Sequence, residues 1–234
     1  MKIARLALFL LPFACFADDW PSLFDGKTLH GWQVKAKPAD RAPDYWTVRD
    51  GAITCDSLGR KNHDYVWLVS DGEYGDFHLT SKVRGFKESP GNSGIQVRSR
   101  YDQSTLWLDG PQMDIHPPAP WRTGLIYDET RGVQRWIFPS LPDWDIKETD
   151  APGRWTWNGE NTAGGWNTVE IICQGTRIVT RLNGTIRVDF DGAGILDDNI
   201  HRSRNVGLKG HIALQLHVKD ELLIQFKDIR IKPM

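Results

Sequence analysis

In three stretches of the middle of the chain, polar side chains fall on every second residue. They are Asn92-Ser93-Gly94-Ile95-Gln96-Val97-Arg98, Gln112-Met113-Asp114-Ile115-His116 and Leu125-Ile126-Tyr127-Asp128-Glu129. Residues two apart share one face of a β-strand. The first run then presents Gln96 with Arg98, the second Gln112, Asp114 and His116, and the third Tyr127 and Glu129. Met113, Ile115 and Ile126 fall on the opposite faces, where a core belongs. Side by side, these strands gather amides, carboxylates, an imidazole, a guanidinium and a phenol on one patch. Such a set can move protons, stabilise a developing anion or hold a divalent ion.

The candidate acid–base residues are Asp114, His116, Tyr127 and Glu129. Asp114, His116 and Glu129 together are also the candidate ligands of a divalent metal. Candidates for substrate contact are Gln96, Arg98, Gln112, Trp107, Trp136 and His217. The same residues cannot fill every role at once, and each has a plainer reading. Arg98 and Asp114 could pair across neighbouring strands. His116 precedes Pro117-Pro118 and could be a strand-end residue. Asp128 and Glu129, close to Arg131, could be solvated turn charges, and His217 a satisfied sheet histidine. Gly94 offers room for a ligand to approach the backbone.

The elements that must position these residues are strands. The chain is cut by turn dipeptides, Asp25-Gly26, Asp50-Gly51, Asp71-Gly72, Asp109-Gly110, Asn183-Gly184 and Asp191-Gly192. Between them lie alternating or β-branched runs such as Tyr65 to Ser70, Phe77 to Arg84, Trp166 to Cys173 and Leu222 to Ile231. Arg177 to Val188 reads as a hairpin around Asn183-Gly184. Asn183-Gly184-Thr185 also fits a glycosylation acceptor, but the turn accounts for it. No window shows a sustained period of 3.6. The expectation is an all-β, two-sheet antiparallel jelly-roll sandwich forming one domain over residues 18–234. Arg135 to Trp166, rich in proline and tryptophan, is expected to be a long loop folding over the patch.

Bulk properties agree. A chain of 234 residues, 40% hydrophobic and 25% charged, can bury a sizeable core. The 11 tryptophans are more than a core needs, so some should line a cleft or cover a sheet. A net charge of −1 gives no footing for a nucleic-acid partner. At the N-terminus, Lys2 and Arg5 precede an apolar run from Leu6 to Phe16, and Ala17 precedes Asp18-Asp19. This reads as an export signal over residues 1–17, cleaved after Ala17, with a run too short to be a transmembrane segment. A periplasmic or secreted location follows. A lipoprotein anchor at Cys15 is disfavoured by the preceding Pro12-Phe13-Ala14. Cys55 and Cys173 could be a disulfide or two buried thiols, and the sequence leaves this open.

Glycoside hydrolysis ordinarily needs two carboxyl groups flanking the scissile bond. Sandwich-fold glucanases carry theirs on one strand as Glu-x-Asp-x-Glu, whereas this chain has Gln112-x-Asp114-x-His116. That mechanism cannot run as usual here. A different resemblance covers nearly the whole chain after the signal. Phe24-Asp25-Gly26-Lys27-Thr28-Leu29-His30-Gly31-Trp32, Trp46-Thr47-Val48-Arg49-Asp50-Gly51-Ala52-Ile53 and Asn92-Ser93-Gly94-Ile95 resemble segments of the 3-keto-disaccharide hydrolase family. So do Gly110 to Glu129 and the closing Ile212 to His217 and Ile224 to Ile231. Two positions depart from the family pattern: Gln112, where many members have Glu, and Val218, where Gly usually follows the His217 position.

The resemblance implies a concanavalin A-like lectin/glucanase sandwich acting outside the cytoplasm on glycosides oxidised at C3 of the sugar. A C3 ketone acidifies the C2 hydrogen. One base can then remove that hydrogen, the C1–O bond can break by elimination, and water can add back. Arg98 or a divalent cation would stabilise the enolate, Glu129 or His116 would take the proton, and Tyr127 would protonate the leaving oxygen. The rival reading is a non-catalytic carbohydrate-binding protein of the same fold. A third is an enzyme acting on another sugar derivative.

Overall fold

The period-2 patterning resolves into two stacked antiparallel sheets. The structure, a computed structural model, describes residues 20–118, 121–138, 154–160, 162 and 164–234. The export signal expected over residues 1–17 and Trp144 lie outside the described residues. In chain order the strands are β1 (Trp32–Ala36), β2 (Trp46–Arg49), β3 (Ala52–Asp56), β4 (Val66–Tyr74), β5 (Phe77–Pro90), β6 (Ser93–Asp102), β7 (Trp107–Asp109) and β8 (Pro111–Ile115). They continue with β9 (Ile126–Asp128), β10 (Arg135–Phe138), β11 (Asn167–Gln174), β12 (Arg177–Leu182), β13 (Thr185–Asp191), β14 (Gly210–Leu216) and β15 (Leu222–Pro233). One short helix, α1 (Asn199–Arg204), is capped by the Asp198 side chain, which accepts from His201 N.

The front sheet runs β1-β4-β14-β6-β8-β9-β10, with β7 hydrogen-bonded to β6, and the back sheet runs β13-β12-β11-β5-β15-β3-β2. Neighbours far apart in sequence, such as β14 between β4 and β6, make this the expected jelly roll. Ile95, Met113, Ile126 and Leu214 of the front sheet share one core with Leu79, Ile171, Phe226 and Ile53 of the back sheet. Two of the expected turns have the left-handed backbone at both residues, whereas Asp71-Gly72 lies inside β4 and is no turn. Asn183 and Gly184 sit at φ 49° and 80°, and Asp50 and Gly51 at 51° and 71°.

Cys55 and Cys173 are separate buried thiols. Cys55 is on β3 and Cys173 on β11, with β5 and β15 between them. Three strand spacings put them at least ~14 Å apart, beyond disulfide reach.

The outer face of the front sheet carries a second, smaller apolar cluster. Trp67, Val69, Leu108 and Ala213 are buried there under Tyr65, Tyr101 and Trp107. Part of the surplus tryptophan thus covers a sheet, as expected. Most of the stretch expected to fold over the patch, residues 139–153, 161 and 163, lies outside the described residues. The 135–166 region begins as strand β10, and its described later part lies against the back sheet, where Asn158 N donates to Gly85 O at 3.2 Å. Asn167 ties this part down, donating from Nδ2 to Thr156 O at 2.7 Å.

Candidate active site

Register decides which side chains share the outer face. Across the front sheet Gln96 pairs with Gln112 and Gln112 with Tyr127, which pairs in turn with Trp136. One row along, Gln215 pairs with Gly94 and Gly94 with Asp114. The alternating polar residues therefore do form one patch. Above it lies a cavity of about 140 Å³ lined by Gln112, Asp114, Tyr127, Glu129 and Trp136, together with Tyr65, Asn92, Gln134 and His217.

Arg98 is not in this patch. Between the pairs Gln96↔Ala213 and His211↔Ser99 the register slips, so Val97 and Arg98 stand opposite the single residue Ile212. This is a β-bulge, and Arg98 sits in it at φ 50°. The bulge turns its side chain away from the Gln96 face. The guanidinium is fully buried and donates to the carbonyls of Gly75, Gly175 and Gly207 and to Asp76 Oδ1, at 2.5 to 3.2 Å. Its role is structural, and it pairs with Asp76 rather than Asp114.

Asp114 is instead met by Arg122, whose Nε donates to Oδ2 at 3.0 Å. Gln112 Nε2 donates to its other oxygen at 3.3 Å. Burial still dominates and pushes the Asp114 carboxyl up to about 6, against the pull of Arg122. Glu129 is bonded only to neutral amides, with His217 acting on it through charge and not through a hydrogen bond. Its Oε1 accepts from Gln215 Nε2 at 3.3 Å, and Gln134 also bonds to it. Burial, with the Asp114 charge adding to it, drives Glu129 up to about 7. The Glu129 backbone is fixed by Trp107, whose Nε1 donates to its carbonyl at 2.8 Å. Trp107 thus supports the site from below and does not line the cavity. Tyr127 packs edge-on against Trp136, with ring centroids 5.2 Å apart. Burial and the Glu129 charge raise its hydroxyl to about 12, so it stays a phenol.

Among the described residues, the buried side-chain oxygens of Gln96, Gln112 and Gln215 find no hydrogen-bond partner. Buried acceptors are normally paired. Gln112 lines the cavity, with its oxygen buried in the wall. Gln96 lies deeper and donates to Leu108 O, so it is floor rather than contact surface. A side chain at Gly94 would collide with the Gln112 amide. Gly94 therefore makes room for Gln112 and not for a ligand.

Residues 19–232 match the family of 3-keto-alpha-glucoside-1,2-lyase-like domains. The chain belongs to this family. A 3-keto-disaccharide hydrolase of Bacteroides thetaiotaomicron is 33% identical over 102 residues, which is 41% of this chain and 32% of that protein. The chain thus matches about a third of that relative's length. Among solved structures, one from Parabacteroides distasonis, described as a candidate glycosyl hydrolase, superposes with a TM-score of 0.56 at 16% identity, covering 93% of this chain and 95% of the other. Carbohydrate-binding module CBM66 from Bacillus subtilis superposes with a TM-score of 0.52 at 13% identity, covering 86% and 95%. At these identities the structures establish the fold alone. Among the chain's described residues no helix is long and apolar enough to cross a membrane.

In this 3-keto-alpha-glucoside-1,2-lyase-like domain the expected triad of metal ligands is not gathered. Among the described residues no group of three His, Cys, Asp or Glu side chains could hold a metal ion. The chain leaves the sheet before Pro117, so His116 lies beyond the end of β8. It faces an adjoining pocket with Asn92, Arg122, His217 and Asp220. Burial holds its imidazole down to about 4, with Arg122 adding to the effect, so it is neutral at pH 7. The alternation of Gln215 with His217 does bring His217 to the cavity, while Leu216 between them joins the core. There His217 Nε2 lies 3.1 Å from the Tyr65 hydroxyl.

Sequence reasoning missed Tyr65, Arg122, Gln134, Gln215 and Asp220. Gln215 carried a visible signal, a polar residue between two leucines in a central strand. Arg122 and Asp220 come from connections without periodicity. Tyr65 comes from the residue just before β4, brought alongside by the β4-β14-β6 pairing.

Proposed function

We propose that the protein is an exported enzyme that cleaves glycosides carrying a ketone at C3, by C2 proton abstraction, elimination of the C1 substituent and hydration. The observation that carries this reading is Glu129, a buried carboxyl pushed up to about 7 in the wall of a small polar cavity. A base with that pKa suits a proton made acidic by a neighbouring ketone. The cavity is smaller than a drug-sized pocket, which suits a single sugar ring.

Glu129 takes the C2 proton. Tyr127, kept a phenol beside it, donates a hydrogen bond toward the oxygen where negative charge develops. Arg122, held on Asp114, puts a positive charge in the adjoining pocket and not in the cavity itself. No second carboxylate across C1 is required, which accommodates Gln112 and His116 in positions where two-carboxylate glucanases have acids.

The test is sugar release from a 3-keto-disaccharide and from its unoxidised parent, with and without chelator. Release from the 3-keto substrate alone is expected. Binding without release from either would overturn the reading in favour of a lectin-like protein. Release is expected to survive chelation, and its loss on chelation would overturn a deprotonation carried by Glu129 and Tyr127 without a divalent ion.

A further inference from the structure

We propose that Tyr65, His217 and Asp220 form a relay that delivers a proton to the departing glycosidic oxygen. This rests on the cavity being the site of C2 deprotonation. The inner cavity adjoins an outer pocket of about 360 Å³, and Asn92 and His217 line both. A sugar ring in the inner cavity, with its C1 substituent in the outer pocket, puts the scissile bond at that junction.

The Tyr65 hydroxyl lies 3.1 Å from His217 Nε2, and His217 Nδ1 lies 3.4 Å from Asp220 Oδ2. Asp220 is fixed in turn, its Oδ2 accepting from Asn92 N at 2.7 Å. The Tyr65 ring is stacked on Trp67, at 5.4 Å and 8°, and stands edge-on to His217 at 4.9 Å. Trp107 meets the same ring edge-on at 5.1 Å. Two indoles therefore hold one phenol against one imidazole. Burial raises the Tyr65 hydroxyl above its ordinary value, so it passes protons rather than resting as phenolate.

The proton count closes. With His217 protonated, its Nε2–H donates to the Tyr65 oxygen while the Tyr65 O–H donates to the glycosidic oxygen. As the C1–O bond breaks, that oxygen takes the Tyr65 proton, Tyr65 takes the His217 proton, and Glu129 holds the proton from C2. In hydration, water adds its oxygen to C1, its proton returns through Tyr65 to His217, and Glu129 returns a proton to C2. Asp220 stabilises the imidazolium in both directions.

The experiment compares 3-keto-glucosides with a sugar leaving group and with a 4-nitrophenyl group, which departs without a proton. Tyr65→Phe, with Trp67 left to hold the ring, is expected to lose about 10²–10⁴-fold on the sugar leaving group and at least tenfold less on the nitrophenyl one. Asp220→Asn should repeat the pattern more weakly. Equal losses on both substrates in folded Tyr65→Phe and Asp220→Asn proteins would overturn the relay. Failure of the wild-type protein on both substrates would instead overturn the C3-ketone reading and the relay with it. Solvent exchange of the C2 hydrogen separates the roles, since Tyr65→Phe should retain it and Glu129→Gln should lose it.

Discussion

Asp128 and Glu129 are neighbours in the chain and both are buried, yet they live differently. Asp128 faces α1, where its Oδ2 lies 3.1 Å from His201 Nε2 and its Oδ1 accepts from Thr130 N at 3.0 Å. His201 is held on its other nitrogen by Asp198 at 2.9 Å. Burial alone would lower the His201 pKa, but the two carboxylates hold it above the ordinary value. Glu129 faces the cavity with only neutral amides bonded to its carboxyl. A buried carboxyl with a charged partner fastens elements together, whereas one without such a partner is left ready to exchange a proton.

Substitutions at the two positions should separate these roles. Glu129→Gln should lower turnover of a 3-keto-glycoside by about 10²–10⁴-fold while the protein stays folded, measured by sugar release and circular dichroism. His201→Ala should do the reverse. Leaving Asp128 and Asp198 without their shared partner costs about 3–5 kcal/mol, or roughly 10 °C in Tm by calorimetry, with turnover per folded molecule little changed. A shift of less than about 2 °C would remove the structural role from this cluster.

The pH dependence is the next effect in size. Glu129 rises from 4.5 to about 7 on folding, so its ionisation works against the folded state. No penalty exists below pH 4.5, and it grows to a plateau above about pH 7, at most roughly 3 kcal/mol. Glu129→Gln should therefore gain stability over the wild type as pH rises through this window. In the same window the wild-type kcat/KM on the nitrophenyl substrate, whose departure needs no proton, should climb toward pH 7 as the base ionises, and a profile flat from pH 5 to 8 would remove Glu129 as the base. The smallest effect concerns the thiols: a reductant should leave Tm unchanged, because Cys55 and Cys173 are not joined.

Much of this is legible in the sequence. Alternation places Gln112, Asp114, Tyr127 and Glu129 on one face, and Asn183-Gly184 marks its hairpin. Arg98 is misplaced by it because the bulge is set by pairing with β14, far later in the chain, and local alternation carries no trace of that register. His116 is misplaced because the strand ends before it. Arg122 and Asp220 escape notice because side chains on irregular connections are positioned by tertiary contacts. Tyr65 and His217 meet only when β4 and β14 pair.

The Arg98 bulge also bears on how the chain reaches its native state. Its guanidinium is satisfied by carbonyls of Gly75, Gly175 and Gly207. During synthesis it emerges long before the last of these partners. A fragment ending before Gly207 would keep the Asp76 carboxylate and two carbonyls on this cation but lose one acceptor of its Nη1, so the bulge is completed only when the C-terminal part of the chain is in place. Refolding should accordingly be slow, as non-local pairing predicts.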